Sequence, residues 1–275
     1  VDLERDNPAA RLMQRLQDYA IYCPNTPTLR GIVPDQQSRS PVGLSGGQLA
    51  EGVAALKSIQ ELDAGSEAIK SYDWETGDEA LRPEASDLEA SASEIILDEL
   101  LELIDWVADI ETTDYGSKLL SPKVPRNRLI LKFSDRFMRQ RRNDLTAYDA
   151  SEGALYVLFA AVLCLTDKAP STFAIDTLDQ ALNPRLLKAL ISKLAGWLRF
   201  SKSNRQLLFT AHNPAALDGL DLLDPEVRLF AVERNSNGQT VLNRLTLTPD
   251  RIELNQEYPL SRLWLMGHLG AVPNV

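Results

Sequence analysis

Hydrophobic and polar positions recur along this chain in two periods, and the switches between them lay out alternating helices and strands. A long apolar helix is predicted from Ser151 to Leu165, opened by Ala150-Ser-Glu-Gly-Ala154. A short apolar run, Phe173-Ala-Ile175, then stops on Asp176, as a buried parallel strand does when it delivers a carboxylate to the sheet edge where ligands bind. Leu186, Leu187, Leu190, Leu194 and Leu198 form a helical stripe over residues 184–200, with Asn183 as cap and Pro184 at the first position. A second apolar strand, Gln206 to Ala211, ends on His212-Asn213-Pro214.

Upstream, Leu12, Met13, Leu16 and Ala20 predict an amphipathic helix over 8–19 leading into a short strand at Tyr19–Cys23. Prolines and glycines from Pro24 to Pro41 make the next stretch an irregular loop. Leu44-Ser-Gly-Gly-Gln48 is expected to cap a helix from Leu49 to Leu62 and to lie away from the Asp176 edge. Residues 63–86 read as an acidic loop, and Ile96, Leu100, Leu103, Val107 and Ile110 as one stripe of a helix from about Ser86 to Ile110. Arg128 to Phe133 alternates as a strand does, and Val227–Val232 and Thr240–Leu247 read as a terminal hairpin turning at Asn237-Gly238.

Charge is distributed unevenly along these elements. The net charge is −10, yet Glu61 to Glu111 alone holds 17 acidic and 2 basic residues, so the rest of the chain is mildly basic. On the helix expected from about Ser86 to Ile110, Asp98, Glu102, Asp105 and Asp109 form an acidic face that is either solvated or a docking face for a basic partner. Lys123 to Arg142 holds eight basic residues and one acid; a solvated strand face explains them most simply, and contact with DNA or RNA phosphate is the alternative. Composition is that of a soluble globular protein, 44% hydrophobic and 25% charged over 275 residues, and no apolar run approaches the length of a membrane span. Cys23 and Cys164 sit in apolar stretches with no C-x-x-C pairing, and read as reduced core thiols of a cytoplasmic protein. No cluster of metal-binding side chains suggests a free nuclease.

The order of a Ser-x-Gly helix start, a strand ending in Asp, a helix and a strand ending in His resembles the carboxyl-terminal half of an ABC-type ATPase head. It is most similar to the AAA-type ATPases of the ABC branch, allied to the OLD and SMC-like proteins, over roughly residues 20–275. That resemblance implies an α/β fold with a P-loop NTPase-like sheet flanked by helices. It divides the chain into a partial core at 1–46, a helical acidic insertion at 47–122, and the core with its signature helix and hairpin at 123–275. G-x-x-x-x-G-K-[ST], whose amides and lysine hold phosphates, does not occur in the sequence, so the head is expected to be incomplete at its amino terminus and the chain alone to hold ATP weakly.

Further roles follow from the resemblance. Asp176 corresponds to the Walker B aspartate, which holds Mg²⁺ through water. Ser151, Glu152 and Gly153 form the signature that meets the ATP of the opposing subunit in a homodimer, and His212 corresponds to the switch histidine. The implied activity is ATP hydrolysis driving a DNA-related or defence effector, with an effector protein or nucleic acid as further partner and no membrane; the alternative is a nucleotide-gated scaffold with little turnover. Where the family places a general-base Glu, this chain has Thr177, which cannot accept a proton at neutral pH, and Leu178 stands where Pro is frequent. Turnover is therefore expected to be slow, or to use Asp179 as the base.

Overall fold

The computed structural model describes residues 7–58, 92–114, 129–200 and 204–269. The chain forms two compact units: Val1–Asp176 with Trp197–Phe209, and Thr177–Gly196 with Thr210–Val275. Among the described residues no helix is long and apolar enough to cross a membrane.

The first unit is built on a parallel sheet of β1 (Ala20–Tyr22), β5 (Thr172–Ile175) and β6 (Gln206–Phe209), in the order β1-β5-β6. Tyr22 lies opposite Ile175, which lies opposite Phe209, so the carboxyl ends of all three strands are in register. Against this sheet sits α5 (Glu152–Leu165), which is buried without a break from Ala154 to Leu165 because it is apolar all round. Tyr22 packs edge-on to Phe159 of α5 and to Phe173 of β5, at 6.1 and 6.2 Å between ring centroids. Such pairs add about 1 kcal/mol beyond area burial. Burial pushes the Tyr22 phenol up to about 12, and its hydroxyl donates to the Ser40 carbonyl at 2.8 Å.

At the other end of α5, Arg205 donates to the carbonyls of Leu163, Cys164 and Thr166 at 2.7–3.0 Å, with its guanidinium 5.2 Å from the Phe173 ring. A cation at a helix carboxyl terminus satisfies orphan carbonyls and opposes the dipole.

The remaining helices of this unit are α1 (Pro8–Gln17), α2 (Thr26–Leu29), α3 (residues 49–58) and α4 (Ala92–Leu103). α4 packs on α5 and on a second sheet, the antiparallel β2 (Val107–Asp114), β3 (Leu129–Asp135) and β4 (Asp144–Thr146). The helix expected through Ile110 thus stops at Leu103, and its start before Ala92 lies outside the described residues. Val107 and Ile110, counted in the helical stripe, are buried positions of β2 instead. Pairing of Val107–Asp114 along the whole of β3 outweighs the local helical spacing. The acidic loop expected at 63–86 also lies outside the described residues.

In the second unit, β7 (Leu229–Arg234) and β8 (Thr240–Leu245) form the expected hairpin, with Gly238 at φ 77° in its turn. α7 (Pro249–Glu257) and α8 (Leu260–Leu265) follow, and Leu260, Leu263 and Leu269 make a small core with Leu217, Leu245 and Leu254. Asp218 accepts from the Ser261 amide and hydroxyl, both at 2.8 Å, and so fixes the start of α8. The helix expected over 184–200 is α6 (Pro184–Phe200), of which Pro184–Gly196 belongs to this unit, and it is capped by the Asn183 side chain on the Leu186 amide at 2.9 Å.

Candidate functional site

Asp176 follows β5 directly and is exposed, and its amide donates to the Tyr22 carbonyl at 2.9 Å. The parallel ladder thus continues one residue past Ile175 and sets the carboxylate at the carboxyl edge. One such carboxylate fits Mg²⁺, which keeps most of its waters and takes other oxygens from phosphates. Among the described residues no group of three or more His, Cys, Asp or Glu is placed to hold a metal. Cys23, one strand away, is exposed rather than a core thiol as expected, since it follows β1 on the same edge. Its thiol is raised above the ordinary value, first by partial desolvation and then by the Asp176 charge. Cys164 is buried, and desolvation raises it to about 12.

Ser151 is the N-cap of α5, accepting from the Ala154 amide at 3.3 Å, and Ser151 and Glu152 are exposed while Gly153 is half-buried. The turn before it is fastened from outside. Arg30 donates to the carbonyls of Tyr148 and Ala150, the latter at 2.9 Å, and Asp149 accepts from the Thr146 hydroxyl at 3.0 Å. Arg30 carries no local motif and was invisible in the sequence; its separation of 120 residues from Ala150 explains why.

The Leu44–Gln48 loop does cap a helix, α3, but it is not remote from the Asp176 edge. Its Leu44 and Ser45 carbonyls accept from Cys23 and Asn25 at 2.8 and 3.2 Å, immediately beyond β1, the strand beside β5. The turn needed to return the chain to that edge is made by Gly43 and Gly46, at φ 75° and 101°. Asp35 holds the loop from inside, its Oδ2 accepting from Ser45 and Gly47 at 2.9 and 3.1 Å.

In the second unit the turn after Asp176 has Thr177 and Ala181 at φ 52° and 62°, which L-residues other than Asn and Asp seldom adopt. The Thr177 amide donates to Thr210 Oγ1 at 2.7 Å, and the Leu178 amide to the Thr210 carbonyl at 2.9 Å. Asp179 Oδ2 accepts from the amides of His212 and Asn213 at 3.0 and 2.8 Å, while its Oδ1 is buried without a hydrogen-bond partner. His212 lies three residues beyond the end of β6, and Asn213 caps the 3₁₀ turn Pro214–Gly219 as the Asn-Pro pair suggests. Thr210 was not anticipated as a site residue; it sits inside the strand pattern, where its hydroxyl has no sequence signal.

The folded chain is thus a mixed α/β protein of the P-loop NTPase-like kind, with an acid at the carboxyl edge of a parallel sheet. It belongs to the family described as "AAA domain, putative AbiEii toxin, Type IV TA system", which matches residues 54–218, more than half of the chain. Membership supports a nucleotide-binding, ATPase-like function. Two solved structures are similar to it. One is the Smc head domain with an extended coiled coil bound to the C-terminal domain of ScpA from Pyrococcus furiosus, at 13% identity and a TM-score of 0.36 over 76% of this chain and 44% of that one. The other is the Smc head domain with a coiled coil and joint from Pyrococcus yayanosii, at 14% identity and 0.34 over 60% of this chain and 29% of that one. The chain therefore spans less than half the length of either. No curated protein matches it.

Proposed function

We propose that this chain is part of an ATP-driven head that closes as a homodimer around ATP and opens on hydrolysis, working a DNA-related or defence effector. The observation that carries the reading is a parallel strand running into exposed Asp176 within a chain of the AAA family. Asp176 would hold Mg²⁺ through its water shell, and the ion would supply neutralisation of phosphate charge. Ser151, Glu152 and Gly153 offer a hydroxyl and a positive helix end to the ATP of the opposing subunit. His212 senses the terminal phosphate or the attacking water.

A second reading, a nucleotide-gated scaffold with slow turnover, is favoured by one feature. Thr177 cannot serve as a base, and Asp179 Oδ2 is already committed to two backbone amides. On this reading Asp179 acts as a positioning residue that holds the His212 backbone.

Turnover by the ATP-binding protein tests both. Asp176→Asn is expected to lower Mg²⁺-dependent hydrolysis by at least about tenfold, and unchanged hydrolysis would overturn the proposal. Asp179→Asn keeps an acceptor oxygen for the amides. If Asp179 is the base it costs about tenfold or more with ATP binding intact, and if Asp179 only positions His212 the change is small and Thr177→Glu raises turnover.

A further inference from the structure

The turn joining β3 to β4 is chemically unlike the rest of this acidic chain. Its residues run Arg136-Phe-Met-Arg-Gln-Arg-Arg142, all seven exposed, with Phe137 at 77% and Met138 at 44%. The backbone beneath them is fixed. Asp135 Oδ1 accepts from the Phe137 and Met138 amides at 2.7 and 2.9 Å, the Asp135 amide donates to the Asn143 carbonyl at 2.8 Å, and the Arg136 amide donates to the Trp106 carbonyl at 3.0 Å.

Acids on the strands that carry the turn are already engaged. Asp135 serves the turn amides, and Asp144 and Glu111 pair with Lys132 at 3.4 and 3.0 Å. Arg136 donates to the Val107 carbonyl, so it is partly a structural group. Arg139, Arg141 and Arg142 have no acidic partner among the described residues. A merely solvated strand face does not account for three such arginines on the same short turn as an exposed aromatic ring, in a protein of net charge −10.

The combination matches one ligand chemistry. Guanidinium groups take phosphate oxygens bidentately, and an exposed phenyl ring offers a stacking platform for a base. An acidic peptide would satisfy the arginines but leave Phe137 unused, and duplex DNA hides the base faces that the ring would meet. We propose that the tip of the β3–β4 hairpin binds single-stranded nucleic acid, with Arg139, Arg141 and Arg142 on the phosphates and Phe137 stacked on an unpaired base.

The test is fluorescence anisotropy of the full chain with a labelled short oligo(dT) and with its duplex, without nucleotide, so that the outcome is independent of the ATPase reading. The triple variant Arg139→Gln, Arg141→Gln, Arg142→Gln is expected to weaken single-strand binding by about tenfold or more and to flatten its salt dependence by about two counterions. Phe137→Ala is expected to weaken it by about fivefold or more with the salt slope unchanged. Circular dichroism melts of both variants should match the wild type, because these side chains are exposed. Absence of oligo(dT) binding at about 50 mM salt, or equal binding by the triple variant, would overturn the proposal. So would tighter binding of duplex that is indifferent to Phe137→Ala, or capture of polyglutamate in place of the oligonucleotide.

Discussion

Two serine and glycine helix starts lie in the same compact unit and are used in opposite ways. At Leu44–Gln48 the loop is turned inward: two carbonyls accept from Cys23 and Asn25, and two amides donate to Asp35. Its glycines are required by space, since a Cβ on Gly46 would collide with Leu29, and one on Gly47 would lie 2.6 Å from the Asp35 Cβ. At Ser151 the start is turned outward, with an exposed cap on a helix whose body is wholly buried. Both borrow from α2 and the residue after it: Leu29 fills the space under Gly46, and Arg30 grips the turn before Ser151. Arg30, Gly46, Gly47, Thr146 and Tyr148 line one pocket. The Leu44–Gln48 loop is therefore a buttress, whereas the Ser151 start leaves its cap residue exposed. A motif is recognised by which of its groups the fold leaves available, not by its letters.

Three substitutions sharpen or break this contrast. Gly46→Ala should be the most damaging, by about 3 kcal/mol in denaturant unfolding, because an alanine at φ 101° is strained and also meets Leu29. Asp35→Ala comes next, at about 2 kcal/mol, since it leaves the Ser45 and Gly47 amides without their acceptor. Ser151→Ala should cost the least stability, about 1 kcal/mol for a lost cap. A larger loss at Ser151 than at Gly46 would reverse the assignment of buttress and presenting end. Under the proposed function the order in activity is opposite. Ser151→Ala should depress ATP turnover by about tenfold in the ATP-binding protein, whereas Ser45→Ala, in the Leu44–Gln48 loop, should leave it nearly unchanged.

Periodicity alone was enough to locate α5, β5, α6, β6 and the β7–β8 hairpin, because each is long or apolar enough for local pattern and tertiary environment to agree. It also put Asp176 at a strand end and Ser151 at a helix cap, since both depend on nearest neighbours in the chain. Other features were set by partners distant in sequence. Val107 and Ile110 became strand residues because β3 was available to pair with them. Cys23 became exposed because β1 ends at the sheet edge, and the Leu44–Gln48 loop came to that edge because Asp35 and two left-handed glycines fold it back. Asp179, read from the sequence as a base, was given the His212 and Asn213 amides as partners across 33 and 34 positions of sequence. Local spacing determines which groups a segment can offer; the hydrogen bonds and packing that consume or spare them are long-range, and only the folded chain decides them.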